Sequence, residues 1–465
     1  MSAQTKFQTQ NVPVAQIVGA LSQALDITEG QPKGHSARCC WIGLQIGEAL
    51  GYAQQDLSDL YYAILLKDLG CSSNAARVCA HYITDDLVLK REFKKLDGSL
   101  PKVLAFVLTH SGMEASMAEK FRSIVSTLRN GKEIVREIID TRCQRGAEIA
   151  RQMHFSERVA ETILSLDEHW DGTGNPEQKS GKQIPRFSQI ALLTQVVDVF
   201  NTGEGRLQAV EEITARRGSW FDPQLVDVFL KLAEDDLFWF SLADEDLPEK
   251  IHTFEPVQMQ RVADEDFLDE IAKGFAQVVD SKSPFTAGHS DRVMIFTDLI
   301  AEQMGFDPGH RRWLRRAALL HDIGKLGISN AILDKPDRLS DKEFEQIKLH
   351  PVFSAQILSK VEAFGDMVHV AGGHHERLDG KGYPNGLKGD EIDLNTRIVT
   401  VADIFDALTA DRPYRAATPT AKAMAILDGM TGSAVDPRCV AALKQAIEKL
   451  ERLPQSSNEK LAQTA

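Results

Sequence analysis

Seven side chains in the second half of this 465-residue chain have the types and spacing to do metal chemistry: His289, the pair His321-Asp322, His350, the pair His374-His375, and Asp403. Five imidazoles and two carboxylates make a donor set suited to Fe, Mn, Zn, Co or Ni. A single His at a helix end is more often a cap or a core residue than a ligand. The ensemble is what points to metal. His321-Asp322-Ile323-Gly324-Lys325 directly follows the apolar run Ala317-Ala318-Leu319-Leu320, and His374-His375-Glu376 follows Val368, Val370 and Ala371. Polar groups set against apolar runs are costly unless a metal or hydrogen-bond partners satisfy them. Next comes Asp379-Gly380-Lys381-Gly382-Tyr383-Pro384, a glycine-rich stretch that can fold tightly beside a site.

The elements that must carry these residues read as helices, and an all-α fold is expected. Between Ser290 and Gly305 the apolar residues Val293, Ile295, Phe296, Leu299, Ile300 and Met304 fall close to one helical face. Ser340-Asp341-Lys342-Glu343 is a capping box that opens a helix expected to run to about His350. Alternating strand patterns are scarce. His310 and His369 read as surface or packing residues, and Arg311, Arg312, Arg315 and Arg316 as a solvated helix face.

Composition narrows the function. Fifty-three basic against 67 acidic residues give a net charge of −14, which argues against DNA or RNA as partner and against a polybasic membrane contact. A small anionic ligand remains compatible if metals or a few Arg residues supply local positive charge. No apolar run approaches the ~18–20 residues needed to span a bilayer, and the first residues lack the pattern of a signal peptide. Six Cys without a C-x-x-C pair make no disulfide framework, so a reduced, cytoplasmic setting is expected.

The chain repeats itself. Gly34-His35-Ser36-Ala37-Arg38 matches Gly288-His289-Ser290-Asp291-Arg292, and Leu65-Leu66-Lys67-Asp68-Leu69-Gly70 matches Leu319-Leu320-His321-Asp322-Ile323-Gly324, both offset by 254. Asp171-Gly172-Thr173-Gly174-Asn175-Pro176 matches Asp379 to Pro384 at an offset of 208, and Phe221-Asp222-Pro223 matches Val435-Asp436-Pro437 at 214. Landmarks in one order imply a tandem duplication.

The second copy, over roughly residues 271–445, resembles the HD-GYP family of the HD phosphohydrolase superfamily. The resemblance lies in His289 within Gly-His-Ser-Asp-Arg-Val, the run His321 to Lys325, His350 before Pro351, the run His374 to Pro384 with Gly382-Tyr383-Pro384, Asp403, and Asp411-Arg412-Pro413-Tyr414-Arg415. It implies a helical domain that hydrolyses a cyclic dinucleotide, cyclic di-GMP or 3′3′-cyclic GMP-AMP, to the linear dinucleotide. It further implies Asp322 as a ligand shared by two divalent ions, Fe or Mn foremost. His289, His321 and Asp403 then complete one site, and His350, His374 and His375 the other. Some relatives hold a third ion with a Glu four residues before the first His; here that residue is Phe285, so two ions are expected. Catalytic roles fall to Asp322 and Lys325, and substrate contacts to Lys325, Tyr383, Arg412, Tyr414 and Arg415. The Gly-Tyr-Pro surface is also a place for a diguanylate cyclase-type partner, and a homodimer is compatible. Other readings are an HD phosphohydrolase acting on another nucleotide, or an adaptor that docks partners through that surface.

The first copy keeps His35 and Asp68 only. Lys67 stands for His321, Arg142 for His350, Leu166 and Asp167 for His374 and His375, and Gln195 for Asp403. Lys67 and Arg142 put positive charge where cations would bind, so this copy is expected to bind no catalytic metal and to act as regulator or scaffold. The expected organisation is an extension over 1–25, a degenerate HD-type repeat over 26–236, an acidic linker over 237–270, a catalytic domain over 271–453 and a polar tail over 454–465.

Overall fold

The computed structural model describes residues 12–76, 86–87, 117–411 and 417–452. Among them the only regular sheet is a two-residue antiparallel pair, Val12 opposite Ala263 and Pro13 opposite Val262. The rest is helix, turn and loop, so the all-α expectation holds. The first half carries α1 (Val14–Thr28), α2 (His35–Ala49), α3 (Gln54–Leu65), α4 (Met117–Gln152), α5 (Glu157–Leu164), α6 (Arg186–Glu204), α7 (Arg206–Ala215), α8 (Pro223–Ala233) and α9 (Asp236–Leu242). The second carries α10 (Glu265–Asp280), α11 (His289–Gln303), α12 (Pro308–Leu320), α13 (Asp341–Ile347), α14 (His350–Leu358), α15 (Val368–Gly373), α16 (Leu394–Thr409), α17 (Thr420–Met430) and α18 (Pro437–Glu451).

Local chemistry sets the boundaries. The Asp264 side chain accepts from Phe267 N at 2.7 Å and starts α10, and Asp436 with Pro437 starts α18. The capping box at Ser340 forms, but its helix does not reach His350. It ends at Ile347, and a new helix begins at His350 with Pro351 in its first turn. Proline breaks a helix interior but fits the first turn, where no backbone donor is needed. The break places His350 at a helix start.

Three expected boundaries fall inside helices. Residue 25 lies within α1, residue 236 opens α9 and residue 270 lies within α10. Thirteen of the fifteen residues of α1 are buried. A helix apolar all round belongs in an interior. It packs on α2 and α3 and also on the Ile323–Gly327 turn and α14 of the second half. One continuous buried cluster therefore runs through both halves. The acidic stretch between the halves is built in as well. Leu247 and Ile251 are buried, Tyr61 Oη donates to Ile251 O at 3.2 Å, and Tyr62 Oη donates to Glu255.

The arginines of α12 are paired rather than merely solvated. Arg311 and Arg315 bind Asp298 of α11, and Arg312 and Arg316 bind Asp269 of α10. They tie α10, α11 and α12 together. His310 is a packing residue, its ring stacked on Phe306 at 4.5 Å. No described helix is long and apolar enough to cross a membrane.

Candidate metal centre

Helix ends converge on one point in the second half. His289 is the first residue of α11, entered through Gly288 at φ 66°. His321 and Asp322 follow the end of α12, His350 opens α14, His374 and His375 follow α15, and Asp403 projects from α16. Gly324 makes the approach possible. A Cβ there would land on the His350 carbonyl oxygen and on Ser354 N, so only glycine lets the turn after Asp322 lie against the start of α14. Gly324 N then donates to Ser354 Oγ at 2.9 Å.

All seven expected donors meet. Donor atoms of His289, His321 and Asp322 lie within 4.8 Å of one another, as do those of His350, His374 and His375. Asp322 joins the two groups. Its Oδ2 lies 3.4 Å from His289 Nε2 and 3.3 Å from His321 Nε2, and its Oδ1 lies 3.3 Å from His350 Nε2 and 3.6 Å from His374 Nε2. Asp403 Oδ1 is 3.4 Å from His289 Nε2.

The chemistry of these atoms fits a cation. Nδ1 of His321, His350 and His374 lies 2.7, 2.7 and 2.8 Å from the carbonyl oxygens of Ala318, Ile347 and Ala371. A carbonyl only accepts, so Nδ1 carries a proton, and in the neutral ring Nε2 aims a lone pair inward. Nε2 of His350 and His374 then face each other at 3.2 Å, a repulsive arrangement without a cation between them. His289 Nε2, His321 Nε2 and Asp322 Oδ1 are buried and lack a hydrogen-bond partner, which is costly unless another ligand satisfies them. Separations of 3.2–3.4 Å match the donor–donor edges expected from metal–donor bonds of about 2.0–2.1 Å. A fit to divalent ions is therefore present in the donor set itself.

Protonation divides the rings: burial opposes charge on His289, but the carboxylates of Asp322, Asp406 and Asp403 outweigh it and raise the ring to about 9. Burial lowers His374 to about 4. Burial and the neighbouring His374 and His350 hold His375 well below the usual range. Both rings are thus neutral and available as ligands near pH 7. Burial opposes charge on Asp322, but the neighbouring His321 and Lys325 outweigh it and keep the carboxyl well below its ordinary value. Lys325 Nζ is paired with Asp322 Oδ2. Tyr383 stacks on His375, centroids 4.8 Å apart at 29°. Its phenol is pushed up by burial and by the charges of Asp322 and Asp403, which places it beside the cluster. Arg412, Tyr414 and Arg415 lie outside the described residues.

Two groups at the site were not anticipated. Asp406 Oδ2 lies 2.7 Å from His289 Nδ1, and its carboxylate also binds Arg292 at 2.6 and 3.1 Å. It stands one helical turn after Asp403, a spacing visible in the sequence. Glu376, buried, accepts from Asn385 N at 2.6 Å and Leu387 N at 3.0 Å and so holds the glycine-rich loop from inside. Asp379 instead accepts from Lys381 N at 3.0 Å and binds Arg377 at the loop's outer edge.

The first half repeats the frame but keeps only His35 and Asp68 of the seven donors. His35 Nδ1 lies 2.7 Å from Asp198, which also binds Arg38. Asp26 accepts from Ser36 N and Oγ as Asp280 does from Ser290. A Cβ at Gly70 would land on Arg142 O, as one at Gly324 would land on His350 O, so Arg142 occupies the matching place. Asp68 is paired with the fully buried Lys67, and Arg142 with Asp167. Glu29, Asp68 and Cys71 approach within 4.8 Å, but the Lys67 ammonium already neutralises that spot.

The all-helical frame and its His/Asp cluster define an HD domain, and the HD-domain family model matches residues 123–225 and 273–439. The chain belongs to the HD-GYP family within the HD-domain proteins. It is 50% identical over 450 residues to 3′3′-cGAMP-specific phosphodiesterase 3 of Vibrio cholerae, covering 96% of this chain and 98% of that protein. It is 38% identical to the cyclic di-GMP phosphodiesterase response regulator RpfG of Xanthomonas campestris pv. campestris, over 40% of this chain and 49% of that protein. The crystal structure of a cyclic GMP-AMP-specific phosphodiesterase of V. cholerae superposes with a TM-score of 0.64 at 45% identity, covering 96% of this chain and all of that one.

Proposed function

We propose that this chain hydrolyses a cyclic dinucleotide, 3′3′-cyclic GMP-AMP in preference to cyclic di-GMP, to the linear dinucleotide. The observation that carries this is the convergence of seven His and Asp donors in a chain 50% identical, over 96% of its length, to a 3′3′-cGAMP-specific phosphodiesterase.

Asp322 with His289, His321 and Asp403 would hold one divalent ion, and Asp322 with His350, His374 and His375 the other. Ions bound there supply Lewis acidity and acidify water to form a nucleophile near neutral pH. Asp406 and the carbonyls of Ala318, Ile347 and Ala371 fix the His rings, and so the direction of each lone pair. Lys325 keeps a positive charge at the Asp322 carboxylate, within reach of a phosphate that approaches it. Tyr383 forms the wall above His375.

The whole molecule reads as a tandem pair of HD-type domains, the first degenerate. The twofold match to the HD-domain model and the recurring Asp26–Ser36, His35–Asp198 and Gly70–Arg142 geometry support this. Lys67 and Arg142 supply the charge that ions would supply in an intact copy. The first half serves as a scaffold, with α1 pressed on the turn that follows Asp322.

The test is a rate comparison of purified Mn²⁺- or Fe²⁺-loaded protein on both cyclic dinucleotides. Faster conversion of 3′3′-cyclic GMP-AMP is expected, and faster conversion of cyclic di-GMP would reverse the assignment.

A further inference from the structure

We infer that Phe344 is the stacking wall for a purine base of the substrate and so a substrate-binding residue of this site; the inference rests on the cyclic-dinucleotide reading above. Phe344 lies on α13, a helix with no buried residue. Polar ties, not core packing, hold that helix in place: the Ser340–Glu343 box and Lys335, whose Nζ donates to Glu343 at 2.7 Å. Phe344 is 43% exposed. Its ring stands edge-on to Tyr383, centroids 6.2 Å apart at 78°, and Tyr383 in turn stacks on His375. Aromatic surface therefore runs unbroken from a candidate metal ligand out to Phe344. Among the exposed phenylalanines of the described residues, Phe240, Phe254 and Phe344, it alone has a ring contact with a residue that touches the cluster.

The chemistry of the substrate matches this row. A phosphodiester at the His/Asp cluster carries its base on a sugar, so the base must lie outside the cluster. An exposed phenyl ring perpendicular to a tyrosine gives that base a flat partner and an edge. Lys348, one turn on and paired with Glu345 at 2.7 Å, lies over one face of the Phe344 ring, 4.9 Å from its centre, so a base would stack on the opposite face.

The experiment measures steady-state kinetics on 3′3′-cyclic GMP-AMP for the metal-loaded full chain and for Phe344→Ala, Phe344→Leu and Phe344→Trp, with metal content determined for each. Stacking predicts a KM about 5- to 100-fold higher for Phe344→Ala and Phe344→Leu, retention by Phe344→Trp, and unchanged kcat and metal content. An unchanged KM in Phe344→Ala overturns the inference. So does a wild-type KM in Phe344→Leu, which would leave only apolar packing. A wild-type chain inactive on both cyclic dinucleotides overturns the functional reading itself and this inference with it. An active wild type with an unaffected Phe344→Ala overturns this inference alone.

Discussion

Asp406 Oδ2 accepts a 2.7 Å hydrogen bond from His289 Nδ1, and 208 residues earlier Asp198 Oδ2 stands at the same 2.7 Å from His35 Nδ1. The carboxylate that orients the first histidine persists in both halves, although only one half keeps the other donors. It therefore serves the frame as well as the site. Asp406→Ala should weaken metal binding about 10- to 100-fold, the usual cost of losing a partner that orients a ligand. Asp198→Ala should lower thermal stability without changing metal stoichiometry. Metal titration beside thermal melting of both variants checks this.

Asp322 is the residue shared by both donor groups. Asp322→Ala should abolish turnover and lower the content of both ions. His374→Ala or His375→Ala should empty mainly one. Elemental analysis paired with activity checks the assignment, and full metal with normal turnover in Asp322→Ala would refute it.

The halves share one buried cluster, so cutting between them has a cost. A fragment over 264–465 keeps every candidate ligand but uncovers the Ile323–Gly327 turn where α1 packs. It should melt well below the full chain. A fragment over 1–236 should show no phosphodiesterase activity and no stoichiometric transition metal. Calorimetry and metal analysis of both fragments decide, and activity in the first fragment would end the reading of that half as degenerate.

Much of the site was legible because ligand chemistry demands particular residue types, and those types stand out against apolar runs. His321-Asp322 and His374-His375 are examples. The partners that aim them were not legible in the same way. A backbone carbonyl such as Ala318 O leaves no mark in the residue type. Asp406 looks like any helix acid until α11 and α16 are packed together. The helix break before His350 was half visible, since Pro351 marks it but the capping box suggested continuity. The placement of α1 was hidden for a different reason. Its apolar residues encircle the helix, and such a pattern says that it is buried without saying against what. The pairing of the α12 arginines likewise depends on acids on two other helices, Asp269 and Asp298.

By the resemblance to the HD-GYP family, Phe285 would stand where some relatives carry a third-site Glu. Two ions per chain are expected in the wild type. Phe285→Glu should raise the stoichiometry if the backbone there points at the cluster. Anomalous scattering that showed three fully occupied metals in the wild type would contradict this count.

A product time course tests hydrolysis at the Asp322 centre most directly. Metal-loaded wild-type protein and Asp322→Ala are incubated with 3′3′-cyclic GMP-AMP, and products are separated and quantified from the first turnovers. The expected result is linear dinucleotide as the main product of the wild type, slow or no conversion to mononucleotides, and no product from Asp322→Ala. No hydrolysis by the wild type, mononucleotides as the dominant early product, or undiminished activity in Asp322→Ala would contradict it.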